Sequence, residues 1–146
     1  FQDLLAGLNQ AEAPLLREKD VDLPKADAQD LLFLGYPRSE TLRALLAHHP
    51  AGLVLEPSSF SLQDSLSNRE ADSLFLVYKD AERGGRLTAL FYSPSRTETD
   101  SMKKAAFKIT HYGKYSYLSF SKGMSQHKGT WSASRSPLVF ELKESQ

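Results

Sequence analysis

The chain has 146 residues, of which 40% are hydrophobic and 10% aromatic, enough for one domain with a real core. Eighteen Lys and Arg balance eighteen Asp and Glu, so the basic footprint that nucleic acid or an anionic membrane surface would demand is missing, and neither is expected as a partner. The lack of cysteine removes disulfides, thiolate nucleophiles and cysteine-based metal sites together.

Residues 1–26 read as a lead-in and 27–146 as a single α/β domain. Leu4, Leu5 and Leu8 have helical spacing. Pro14, Pro24 and the mixed charges from Arg17 to Asp22 suggest extended linker. The apolar run Leu31-Leu32-Phe33-Leu34, stopped by Gly35-Tyr36-Pro37, predicts a buried strand. A helix should follow, with Ser39 as N-cap, Leu42, Leu45, Leu46 and His49 on one face, and His48 and His49 in the last turn before Pro50 and Gly52. Leu53-Val54-Leu55 then predicts a second strand, and strand–helix–strand predicts a parallel pair.

Phe60-Ser61-Leu62 has strand alternation. Leu74 to Tyr78 is the strongest strand signal in the chain, and Leu87 to Tyr92 should return beside it as an antiparallel hairpin through the Gly84-Gly85 loop. Ser95 and Glu98 have capping-box spacing and open a helix with Met102, Ala105, Ala106 and Ile109 on its apolar face. Tyr115 to Phe120 predicts a strand turned at Lys122-Gly123, with Lys128 to Trp131 returning beside it, and Leu138-Val139-Phe140 predicts a last strand. The expected architecture is α/β: a mixed sheet flanked by helices, a small Rossmann-like domain with antiparallel hairpins.

Chemistry is harder to place. Gly35, Tyr36, Arg38 and Ser39 lie between a predicted strand and the helix after it, where α/β folds bind ligands and where free N–H groups suit an anion. The same residues also serve simply to start a helix, and the glycines of a phosphate loop are missing. His48 and His49 are adjacent and point to different sides of a helix, so they cannot form a ligand pair; no His-Glu-x-x-His occurs, and no metal or cofactor is expected. No Gly-x-Ser-x-Gly elbow is present, and Ser116 and Ser119 read as the polar face of a strand, although the fold could still bring a serine and a histidine together. The block His111-Tyr112-Gly113-Lys114-Tyr115-Ser116-Tyr117 could stack bases or sugars; in a neutral chain, His111, Tyr112, Lys114, Tyr115 and Tyr117, with Trp131, are expected to serve packing or a protein contact.

The block from Ile109 to Phe120, then Lys128-Gly129-Thr130-Trp131 and Ser136-Pro137-Leu138, with Leu32 to Pro37 and Leu53 to Leu55 before it, resembles the C-terminal end of bacterial proteins similar to aminopeptidase N-type zinc metallopeptidases. The resemblance spans about the last 115 residues. That family's zinc motif is missing from this sequence, so no catalytic residue carries over. The resemblance implies a non-catalytic accessory domain whose partner is the catalytic domain of a larger protein, in a periplasmic or other extracytoplasmic setting. Residue 1 is Phe rather than Met, which adds the expectation of a piece of something longer. The alternative is a small-molecule or anion-binding module using the Gly35–Ser39 loop. Oligomeric state is left open, and no apolar run approaches the about 20 residues that cross a bilayer, so no membrane insertion is expected.

Overall fold

The run at residues 74–78 becomes the centre of the structure. A computed structural model describes residues 14–62, 66–67, 73–93, 115–121, 124–132 and 135–136. Along them come a 3-10 turn (Glu18–Asp20), α1 (Leu23–Asp27), β1 (Leu31–Leu34), α2 (Glu40–Leu46), β2 (Leu53–Glu56), β3 (Ser59–Leu62), β4 (Leu66–Ser67), β5 (Ser73–Asp80), β6 (Arg86–Tyr92), β7 (Tyr117–Ser121) and β8 (Met124–Gly129). The first of the expected helices, that from Ser95, and the strand at Leu138–Phe140 lie outside the described residues.

A five-stranded mixed sheet runs β1-β6-β5-β7-β8, and a three-stranded antiparallel sheet runs β2-β3-β4. The β5–β6 hairpin is as expected, with Leu76 opposite Leu90 and Tyr78 opposite Thr88. Its loop carries Gly84 and Gly85 at φ +67° and +79°, backbone that side-chain-bearing residues rarely adopt.

The pairing of the first two strands differs from expectation. β1 is parallel to β6, Leu31 beside Thr88 and Leu34 beside Phe91, while β2 leaves for the second sheet and pairs with β3. A strand–helix–strand pattern sets the hand of a crossover but not which strand becomes the neighbour. Here Leu53 and Leu55 are opposite Leu62 and Phe60 across a tight β2–β3 turn, a local pairing with little loop-closure entropy to overcome. The fold is therefore mixed α/β but strand-rich. The described helices are short, and a Rossmann-like winding, which needs parallel neighbours in series, is not what the described strands form. Leu23–Asp27, expected as linker, is helical because Pro24 falls in its first turn, where a missing N–H costs nothing.

β5 is apolar from Leu74 to Tyr78 because both its faces are covered there. Leu74, Leu76 and Tyr78 share one face with Leu90 and Tyr92 of β6, and Leu46 of α2 and Leu53, Phe60 and Leu62 of the second sheet pack against them. Phe91, Leu118 and Phe120 form a separate buried cluster with Phe75 and Tyr115 beside it. At the β7–β8 pair the register slips between Leu118 and Phe120, and the buried Ser119 hydroxyl accepts the His127 N–H at 3.0 Å, patching the interrupted ladder. Ser116 and Ser119 are thus buried rather than on a solvated face.

Charged side chains fasten this body together at the β5–β6 turn. Asp80 is fully buried; its Oδ1 accepts the Glu82 and Arg83 N–H groups at 3.1 and 3.3 Å. Arg83, also buried, donates to the Thr88 hydroxyl at 2.7 Å and to the carbonyls of Ala26, Asp27 and Gln29, the orphan acceptors at the end of α1. Its planar fork reaches these acceptors at once, which a lysine ammonium cannot. Arg83→Lys should therefore lower unfolding free energy by about 2 kcal/mol, nearly as much as Arg83→Ala, in urea titrations followed by circular dichroism. The Tyr117 ring lies across Gly129, and a Cβ there would land inside the ring. Gly129→Ala should cost about 1–3 kcal/mol by the same measurement, and pairing it with Tyr117→Ala should recover part of the loss.

Candidate functional site

The Gly35–Ser39 loop does sit at the carboxyl end of β1, ahead of α2. Gly35 turns the chain at φ +87° and donates its N–H to the Phe91 carbonyl at 2.7 Å, closing the β1–β6 ladder. Ser39 is the N-cap of α2, but its hydroxyl makes no capping hydrogen bond. The capping role passes to a carboxylate from outside the helix. Glu18, in the 3-10 turn, accepts the Arg38 N–H at 2.7 Å and the Ser39 N–H at 3.3 Å. The amides proposed as an anion cradle are thus engaged by the chain's own Glu18, and nothing local in sequence pointed to it.

Tyr36 turns away from those amides. Its ring meets Tyr92 edge-on, centroids 6.2 Å apart, and Tyr92 meets Phe60 in the same way at 5.9 Å. The Tyr92 hydroxyl donates to the Glu56 carbonyl at 2.6 Å, tying β6 to the end of β2. Tyr36, the outer ring of this row, lines one side of an open cleft of about 410 Å³ along α2. Glu40, Arg43, Ala44 and Ala47, one stripe of the helix and its cap, form the near wall. Tyr36, His49 and Leu55 line the far side. Of the residues expected from sequence to form a ligand site, Tyr36 alone lines this cleft; Glu40 and Arg43 were not singled out, since an i, i+3 Glu and Arg pair reads as an ordinary solvated helix face, and His49 was weighed only as a metal ligand.

The two adjacent histidines have separate fates. His48 lies between carboxylates, Nδ1 3.1 Å from Asp80 Oδ2 and Nε2 3.0 Å from Glu82 Oε2, and its carbonyl accepts Arg135 at 3.1 Å. Both ring nitrogens are committed, so His48 is a fastener of the α2 end. His49 Nδ1 lies 3.2 Å from the Pro50 carbonyl, which only accepts, so Nδ1 is the donor of that contact.

In the aromatic block, His111, Tyr112 and Lys114 lie outside the described residues. Tyr115 packs beside Phe91 and Phe120 under the Lys128 ammonium, 5.1 Å from its ring centroid. Tyr117 stacks on Trp131 with centroids 4.8 Å apart, and Trp131 Nε1 donates to the Val77 carbonyl at 2.8 Å. Among the described residues these rings are packed into the sheet, and no group of three or more His, Cys, Asp or Glu side chains is placed to hold a metal ion. Nor is any helix there long and apolar enough to cross a membrane. No family model, no curated protein and no solved structure matches the chain.

Burial leaves two tyrosines with altered acidity. The Tyr92 hydroxyl is pushed up to about 12 by burial, reinforced by Tyr36 and Glu56. Tyr78, whose hydroxyl donates to the Leu46 carbonyl at 3.2 Å, is raised further, again by burial first and by the Asp80 charge second. Both folded-state values lie above that of an unfolded tyrosine, about 10. The stability they contribute is therefore complete below pH ~10 and is lost as pH rises through the folded values. Urea midpoints should fall steeply from pH ~10 to pH ~12. Tyr92→Phe should flatten that fall while costing about 1 kcal/mol at neutral pH, where the bond to Glu56 is missing.

Proposed function

We propose that this chain is a non-catalytic interaction domain of a larger bacterial protein of the metallopeptidase type, docking on its catalytic part through the β1 edge. The observation that carries this reading is the state of β1. It is the outermost strand of the five-stranded sheet, and Leu32 and Leu34 on it remain 40% and 41% exposed. Gly35 directs its N–H to β6, so by the alternation of a ladder the N–H and C=O groups of Leu32 and Leu34 point away from the sheet. They have no partner among the described residues. An edge that combines free backbone groups with exposed leucines is a template for association, and stable domains cover or charge such edges. This edge carries no charge between Leu31 and Leu34.

The resemblance at Leu32 to Pro37 falls on this same strand and its exit loop, and it supplies the identity of the partner. The commitment of His48 to two carboxylates also favours a binding role over general-base chemistry. The Gly35–Ser39 loop is the poorer alternative as a ligand module, because Glu18 already engages the Arg38 and Ser39 amides.

Two measurements test the reading. The isolated chain, supplied with zinc, should give no turnover of aminoacyl nitroanilides; robust turnover that survives stringent purification overturns it. Amide hydrogen exchange at Leu32 and Leu34 should be fast in the isolated chain and at least about tenfold slower within the full-length parent protein. Equal exchange rates in both would show that nothing docks on β1.

A further inference from the structure

The cleft along α2 lies apart from β1, and its chemistry can be read whether or not that edge docks. Its volume, about 410 Å³, falls in the range of small-molecule sites. Its walls are held from behind rather than by one another. Leu46 is fixed by the Tyr78 hydroxyl and Tyr36 by the Tyr92 ring. A cleft so braced loses little freedom when a ligand enters.

Its polar groups are uncommitted to an unusual degree. The Glu40 carboxylate and the Tyr36 hydroxyl make no hydrogen bond among the described residues. Arg43 uses one guanidinium nitrogen on the Arg38 carbonyl and keeps its other donors. Glu40 and Arg43 do not pair with each other, although they are one turn apart. The cleft thus offers one anion for an ammonium and one planar cation for a carboxylate. Between them lie apolar surfaces: Ala44 and Ala47, small enough to leave room, faced by Leu55 and the Tyr36 ring.

We propose that this cleft binds a zwitterion with an apolar body, the class of free apolar α-amino acids and their dipeptides. Arg43 takes the carboxylate as a fork, Glu40, one turn before it, takes the ammonium, and the alanine stripe with Leu55 takes the side chain. A purely anionic ligand would meet the Glu40 charge, and a purely cationic one would meet Arg43, so each is selected against.

The probes are L-leucine and L-leucyl-L-leucine, titrated into the isotopically labelled chain and followed by amide chemical shifts. Both should give saturable shifts at Ala44, Ala47 and His49, with dissociation constants of ~1 mM as suits an open cleft. N-acetyl-leucine and leucinamide, each lacking one charge, should bind about tenfold more weakly. Arg43→Gln should weaken leucine about tenfold while strengthening leucinamide, whereas Glu40→Gln should weaken leucine while strengthening N-acetyl-leucine, because each change removes the like charge that the second ligand meets. Both positions are solvent-accessible on α2, and a melting curve for each variant confirms that it folds. The proposal fails if neither probe gives saturable shifts at tens of millimolar, if the shifts map elsewhere, or if both variants bind leucine as the native chain does.

Discussion

A buried carboxylate at the end of the central strand organises this protein. Asp80 has no exposure to water, and a charge so placed costs several kcal/mol unless donors surround it. Two backbone N–H groups of its own turn and the His48 ring supply them. Meeting that need fixes the shape of the β5–β6 turn, and the turn then aims Arg83 at the end of α1. One residue's desolvation is thereby coupled to the position of both helices. The removal of Asp80 would leave the loop amides and the Nδ1 of His48 without a partner, and the hold of His48 on the end of α2 would fall to Glu82 and Arg135 alone.

From this fixed point the two faces of the five-stranded sheet acquire different characters. One receives α2 and the second sheet, and it carries the aromatic row Tyr36–Tyr92–Phe60 that bridges them. The arrangement leaves the cleft open, because small residues at positions 44 and 47 face that row across it. At the far edge, β1 contributes Phe33 to the main core and leaves Leu32 and Leu34 outside it. The strand whose sequence reads as fully buried is half covered, and it is this mismatch between composition and environment that gives the edge its meaning.

The sequence made the local features plain and the distant ones opaque. The β5–β6 hairpin was readable from two apolar runs around Gly84-Gly85, and α2 from Leu42 and Leu46 with breakers at Pro50 and Gly52, since each depends on neighbours within one turn. The partner of β1 was not readable, because four consecutive apolar residues fit beside any buried strand and β6 lies far along the chain. Glu18 at the start of α2, Arg83 at the end of α1 and His48 between carboxylates were equally hidden. Each is a polar or charged residue whose partner lies far along the chain, and in a linear reading such a residue is a solvated one. The cleft was missed for a related reason: Ala44 and Ala47 are ordinary helix formers, and only the opposing ring of Tyr36 turns their smallness into space.

The chain has a single tryptophan, and its placement has a practical consequence. Trp131 is bonded through Nε1 to the central strand and stacked on Tyr117 of β7. Its emission therefore depends on the β7–β8 side of the sheet remaining closed over β5. Intrinsic fluorescence is in effect a local gauge of one half of the molecule. Comparing its transition with that of the whole-chain dichroism would separate loss of that half from loss of the rest, without any label being attached.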